Sequence, residues 1–258
     1  MSHFKVGVIT KNGTEEEIIK ALEPFDENIE MDRYIKYTKE QLIEKGKKEI
    51  EEYKNGRYSE YLKNPEKYKN DCKNNKNHFK YISEEFPKML NWTDEEIYKD
   101  QIEYYNEDEI GEDGEVYSTY NPKSKWDWYE IGGRWNNSIP TNKGKVNTTK
   151  ISDIIFSKEP TEEDKKIREK NWNHYKKLYK EEYFKEKFGE LEEYKNKPIE
   201  FNTYSLLLPN GDWLESGKMG WFGISFATPE EEKEFKNSYE NICKEYNNYY
   251  LTVVDCHI

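Results

Sequence analysis

Tyr249-Tyr250-Leu251-Thr252-Val253-Val254-Asp255-Cys256-His257-Ile258 closes the chain, and its reading decides the fold. Leu251, Val253 and Val254 among aromatic and β-branched neighbours predict a strand. A strand that runs to the last residue has to be anchored inside a sheet. Its natural neighbour is the other end of the chain, where Phe4, Val6 and Val8 alternate through Phe4–Thr10. Both ends in one sheet imply one domain over residues 1–258, of the α+β class, built mainly on an antiparallel sheet.

Working inward, helices interrupt that sheet. Thr38-Lys39-Glu40-Gln41 and Thr93-Asp94-Glu95-Glu96 are capping boxes, in which the Thr hydroxyl and the third residue satisfy free amides at a helix start. Residues 38–106 read as a helical insertion. Thr161-Glu162-Glu163-Asp164 opens a long charged helix over about 162–194, whose Trp172, Tyr175, Tyr179 and Tyr183 step by three, four and four into one aromatic stripe. Phe201–Leu208 and Trp213–Glu215 flank Pro209-Asn210-Gly211-Asp212, read as a hairpin on a two-residue type I′ turn. Lys125–Ile131 alternates as a strand, with Trp126, Trp128 and Glu130 on one face and Asp127, Tyr129 and Ile131 on the other. Asn136–Thr149 reads as a polar loop.

Composition bounds the function. The apolar fraction is 34% and the charged fraction 36%, yet 16% of residues are aromatic, 22 of them tyrosines, which bury enough area for a core. The formal charge of −12 argues against duplex nucleic acid or an anionic membrane as partner. It leaves room for a small anionic ligand held by a few local cations. Cys72, Cys243 and Cys256 form no CxxC pair, so neither a zinc knuckle nor a disulfide framework is indicated. With no signal-peptide core and no apolar run near 18 residues, the expected location is the cytoplasm.

Two glycine-punctuated segments carry the binding chemistry. In Trp126-Asp127-Trp128-Tyr129-Glu130-Ile131-Gly132-Gly133-Arg134-Trp135, the paired glycines let a ligand approach the backbone and offer amides to an anion. Arg134, one of four arginines, suits phosphate or carboxylate, and the indoles suit a stacked base. Trp213, Lys218, Met219, Trp221 and Phe222 repeat the theme, which would gather five of the seven tryptophans in one region. The alternative is a β-bend whose tryptophans fill the core while Arg134 pairs with Asp127 or Glu130. A third set is C-terminal: alternation puts Asp255 and His257 on one face, with His3 on the adjacent strand, a trio able to do acid–base work. Cys256 points the other way and reads as a buried thiol. No phosphate loop, nucleophile elbow or zinc-binding helix motif is present, so no catalytic, metal or cofactor assignment follows.

Taken together, Met1-Ser2-His3-Phe4, Asn121-Pro122-Lys123-Ser124-Lys125-Trp126-Asp127-Trp128-Tyr129, Gly132-Gly133-Arg134-Trp135, Gly220-Trp221-Phe222-Gly223 and Val253-Val254-Asp255-Cys256-His257 resemble a group of bacteriophage and prophage proteins. The resemblance covers both ends and the middle and leaves the helical parts variable. It implies a phage accessory protein in a bacterial host cell, a class that often counters host defence. The expected function is therefore sequestration of a small anionic, nucleotide-like signal by Trp126, Trp128, Tyr129, Gly132, Gly133, Arg134, Trp135, Lys218, Met219, Trp221 and His257, with a homo-oligomer compatible with such a site. The alternatives are an enzyme that hydrolyses such a nucleotide through His257, Asp255 and His3, and an inhibitor acting on a host protein through its acidic helices.

Overall fold

The computed structural model describes residues 2–73, 75–217 and 227–258. His3–Thr10 and Tyr250–His257 pair antiparallel along their whole length, from His3 opposite His257 to Thr10 opposite Tyr250. Ser205–Leu207 joins the other edge of the N-terminal strand in parallel, and Trp213–Glu215 extends the sheet antiparallel. On the outer edge of the C-terminal strand two short strands lie end to end. Trp128–Ile131 runs along Val254–His257, and Thr148–Lys150 along Tyr250–Thr252. The sheet is thus mainly antiparallel, with the two chain ends at its centre.

Alternation gives this sheet two apolar faces. Phe4, Val6, Val8, Leu207, Val254 and Cys256 pack on one, under Ile18 and Leu22 of helix Glu15–Leu22 together with Phe25 and Trp126. Ile9, Leu206, Leu251 and Val253 pack on the other, under Tyr239 and Cys243 of helix Pro229–Glu245. Val6, Val8, Ile9, Leu251, Val253 and Val254 are wholly excluded from water, and burial of each such side chain contributes roughly 1.5–3 kcal/mol.

Several expectations change in the folded chain. Asn136–Thr149 is not a loop: Ile139–Thr141 pairs with Gly144–Val146, and Ile139 is fully buried. Two isolated apolar residues there are too sparse to register as alternation. In the hairpin only Gly211 takes a positive φ, +88°, and the Leu208 amide donates to the Asp212 carbonyl. The connection is therefore the three residues Pro209-Asn210-Gly211, because Pro209 fixes a negative φ at the first turn position and Gly211 supplies the left-handed one. The helix capped by Thr161 runs Glu162–Leu178, and helices Glu181–Phe188 and Leu191–Asn196 follow it in place of one helix to about 194. The aromatic stripe causes the fold-back: Trp172 meets Phe184 edge-on at 4.9 Å and Tyr175 stacks on Phe188 at 5.0 Å.

The chain packs as two compact units. One comprises residues 1–29 and 121–258 and holds the sheet. The other, residues 30–120, is wider than the expected insertion because Tyr34–Tyr37 pairs antiparallel with Val116–Ser118. Its helices Lys39–Tyr53 and Asp94–Ile102 begin at the Thr38 and Thr93 capping boxes. They bury Leu42 and Ile97, with Ile82 and Phe86 also in the core of the unit.

Candidate functional site

The two terminal strands bring together residues that are 250 or more positions apart. Register sets His3 opposite His257 and Lys5 opposite Asp255, and alternation puts all four on the face that further along carries Ile9, Val253 and Leu251. Trp128 lies opposite His257 on the next strand. The His3 and His257 rings meet edge-on, 5.0 Å between centres, and the Trp128 indole lies edge-on to both at 6.2 and 6.4 Å. Trp128 is 50% exposed, whereas Asp255 is 1% exposed and His257 7%.

Each histidine is oriented by its own carboxylate. His3 Nδ1 lies 2.9 Å from Asp255 Oδ1, and His257 Nδ1 lies 2.5 Å from Asp127 Oδ1. A carboxylate only accepts, so it holds the proton on Nδ1 and leaves Nε2 as the working nitrogen. The His257 Nε2 atom is buried and has no hydrogen-bond partner among the described residues. An orphaned buried polar atom typically costs about 1–3 kcal/mol, which a ligand can recover by supplying the missing bond. His3 Nε2 also makes no hydrogen bond among the described residues.

The double glycine builds this arrangement. The strand Trp128–Ile131 ends at Gly132, φ +80°, and Gly133, φ +46°, where the chain turns away into a short helical turn, Gly133–Trp135. A Cβ on Gly133 would stand 2.4 Å from Asp255 Cβ, so only glycine lets the backbone pass there. That close passage delivers the Arg134 amide to Asp255 Oδ2 at 2.9 Å. Of the two glycine amides expected to meet a ligand anion, that of Gly132 is committed to the Val253 carbonyl at 2.9 Å. The Arg134 side chain is exposed and makes no ion pair among the described residues, so the expected alternative pairing with Asp127 or Glu130 does not form.

Among the described residues the tryptophans do not gather. Trp126 is 6% exposed, donates its indole N–H to the Leu22 carbonyl and packs against Tyr129 on the far face of the sheet, so it cannot stack on a ligand. The expected alternation fails at this point because the strand begins only at Trp128. Before it, Asp127 donates its amide to the His257 carbonyl and Trp126 bridges to Asp26, which swings the indole to the other face. Trp213 joins Trp126 there, 5.0 Å from Phe25, while Trp135 packs into the apolar cluster under the final helix. Lys218, Met219, Trp221 and Phe222 lie outside the described residues. Of the predicted site, Trp128, Arg134 and His257 stand at one place, with Gly132 and Gly133 shaping the backbone beside them. Asp127 is the member of this cluster that the alternation assigned to the opposite face. His3 and Asp255 were legible as its companions from the period of two alone.

A concave region of about 1110 Å³ opens on the same face between the final helix and segments 151–157 and 197–204, lined by Ile154, Phe156, Phe201, Tyr239, Lys5 and Lys236 among others. The Lys5 amine lies 4.4 Å from the Phe201 ring centre and donates to the Asn202 carbonyl at 3.0 Å. Burial lowers its pKa to about 8. Lys236 pairs with Glu200 at 2.7 Å. Burial pushes the Cys243 thiol up to about 12 and raises the Cys256 thiol further still, so both are packing groups and not nucleophiles. Among the described residues no group of three His, Cys, Asp or Glu side chains could hold a metal ion, and no helix is long and apolar enough to cross a membrane. Compared with protein-family models, with curated proteins and with solved structures, the chain matches none.

Proposed function

We propose that the end of the sheet face formed by Trp128, Arg134, His3 and His257 binds a small anionic, base-bearing ligand of the nucleotide class. The observation that carries this reading is the pair of histidine Nε2 atoms without hydrogen-bond partners, set edge-on beside an indole that is half exposed. An exposed tryptophan offers a face to a base, and base–aromatic stacking contributes about 1–3 kcal/mol. The exposed Arg134 guanidinium provides the planar fork that phosphate oxygens accept.

The resemblance to phage accessory proteins directs the choice of ligand toward a host signalling nucleotide, whose capture would blunt a defence response. Isothermal titration against cyclic dinucleotides and ADP-ribose derivatives tests the reading. One of them is expected to bind, and Trp128→Ala and Arg134→Ala are each expected to weaken it about tenfold, the equivalent of 1.4 kcal/mol. Absence of heat with every compound, or unchanged affinity in both variants, rejects it.

A further inference from the structure

We infer that His3 and His257 are a general acid–base pair that cleaves a phosphodiester in the ligand held beside them. This rests on the reading that a nucleotide-class ligand binds at this place, and it adds turnover to binding.

A single Asp–His pair is a common structural hydrogen bond. Here two such pairs stand side by side, arriving from three separate chain segments, and both direct Nδ1 to a carboxylate and leave Nε2 unpartnered among the described residues. Ester cleavage by water needs one group that takes a proton and a second that gives one. The two imidazoles are in edge-on contact, 5.0 Å between ring centres, so a phosphoryl group brought to one ring lies beside the other. In the step proposed, the neutral Nε2 of one histidine removes a proton from water as the water oxygen forms its bond to phosphorus. The P–O bond to the leaving alkoxide breaks, and the protonated Nε2 of the other histidine gives that oxygen its proton. A phosphate monoester and an alcohol leave, and proton exchange with solvent resets the two rings; no redox partner is required. Arg134 neutralises the non-bridging oxygens, while Asp127 and Asp255 stabilise whichever ring is cationic. The other charged groups on this face are Lys5 of the N-terminal strand and Glu130 of the neighbouring strand.

The test uses the full chain with a cyclic dinucleotide and with bis(4-nitrophenyl) phosphate as probes, following product release and, separately, binding by titration. The wild-type protein is expected to turn over at least one probe with a bell-shaped pH–rate profile. His3→Ala and His257→Ala should each lower kcat by about 10²–10⁴-fold, far more than each weakens binding, and each should remove one limb of the profile. Added imidazole should restore part of the rate to His3→Ala. His3→Gln and His257→Gln, checked for folding by circular dichroism, should behave as the alanine variants do. Binding without turnover overturns this inference and leaves the binding reading standing. Turnover that survives in both histidine variants with its pH profile intact also overturns it. Failure of every compound to bind and to react rejects both.

Discussion

One face of one sheet behaves in two ways. Toward its Thr10–Tyr250 end the central strands present Ile9, Leu251 and Val253, wholly buried under Tyr239 and Cys243. Toward its His3–His257 end the same strands, in the same register, present His3, Lys5, Asp255 and His257. Backbone geometry is common to both ends, so the difference lies in the side chains alone. The apolar end gains stability with every methylene removed from water. The polar end buries a carboxylate and leaves a ring nitrogen unsatisfied, a local cost that the apolar end and the ladder of eight residue pairs must offset. The apolar core and the polar histidine–aspartate cluster are therefore separate along a strand only eight residues long.

Substitutions can break that contrast in order of size. Leu251→Ala should have the largest effect, about 2–5 kcal/mol of lost stability, because a fully enclosed site cannot collapse onto the cavity. Urea unfolding checks it, with the midpoint falling and ligand affinity at the polar end unchanged below the transition. Gly133→Ala comes next, at about 1–2 kcal/mol, since the new Cβ meets both a positive φ and the Asp255 side chain. Unlike Leu251→Ala, it should displace Asp255 and weaken ligand binding as well as stability. If affinity survives Gly133→Ala, the close backbone passage does not shape the site.

The smallest effect is expected at Lys5, on the border between the two ends. Its folded pKa, about 8, lies below the ordinary value of 10.5. At pH values between these two the unfolded chain binds more protons than the folded one, so this group's contribution to stability rises with pH across about 8 to 10.5. Lys5→Met should therefore raise Tm modestly at pH 7, and its advantage over the parent should shrink as pH climbs through that window. Melting curves at several pH values check the sign. An advantage that grows with pH would show that the Lys5 charge is stabilised where it sits.

How much of this was legible in the sequence differs from residue to residue. The pairing of the chain ends followed from apolar alternation, and the helix starts at Thr38 and Thr93 followed from capping boxes that form as read. His3, Asp255 and His257 share a face because a strand alternates with a period of two whatever surrounds it. Trp126 and Asp127 were misread for the same reason. Alternation was extended three residues beyond the strand, from Trp128 back to Lys125, where the bridge between Trp126 and Asp26 governs the chain direction instead. The long charged helix was misread because helical periodicity records which residues share a stripe and not whether the stripe folds back on itself.

What the sequence determined by itself is local: the two terminal strands, the capped helices, and the face on which each strand residue stands. These depend on backbone stereochemistry and on hydrogen bonds spanning three or four residues. Only the tertiary structure decided that His257 takes Asp127 while His3 takes Asp255, that Gly133 yields its space to Asp255, and that Trp128 is exposed while Trp126 is core. Each of these depends on strands meeting across roughly a hundred residues or more, and no local pattern encodes which carboxylate a ring nitrogen will find there.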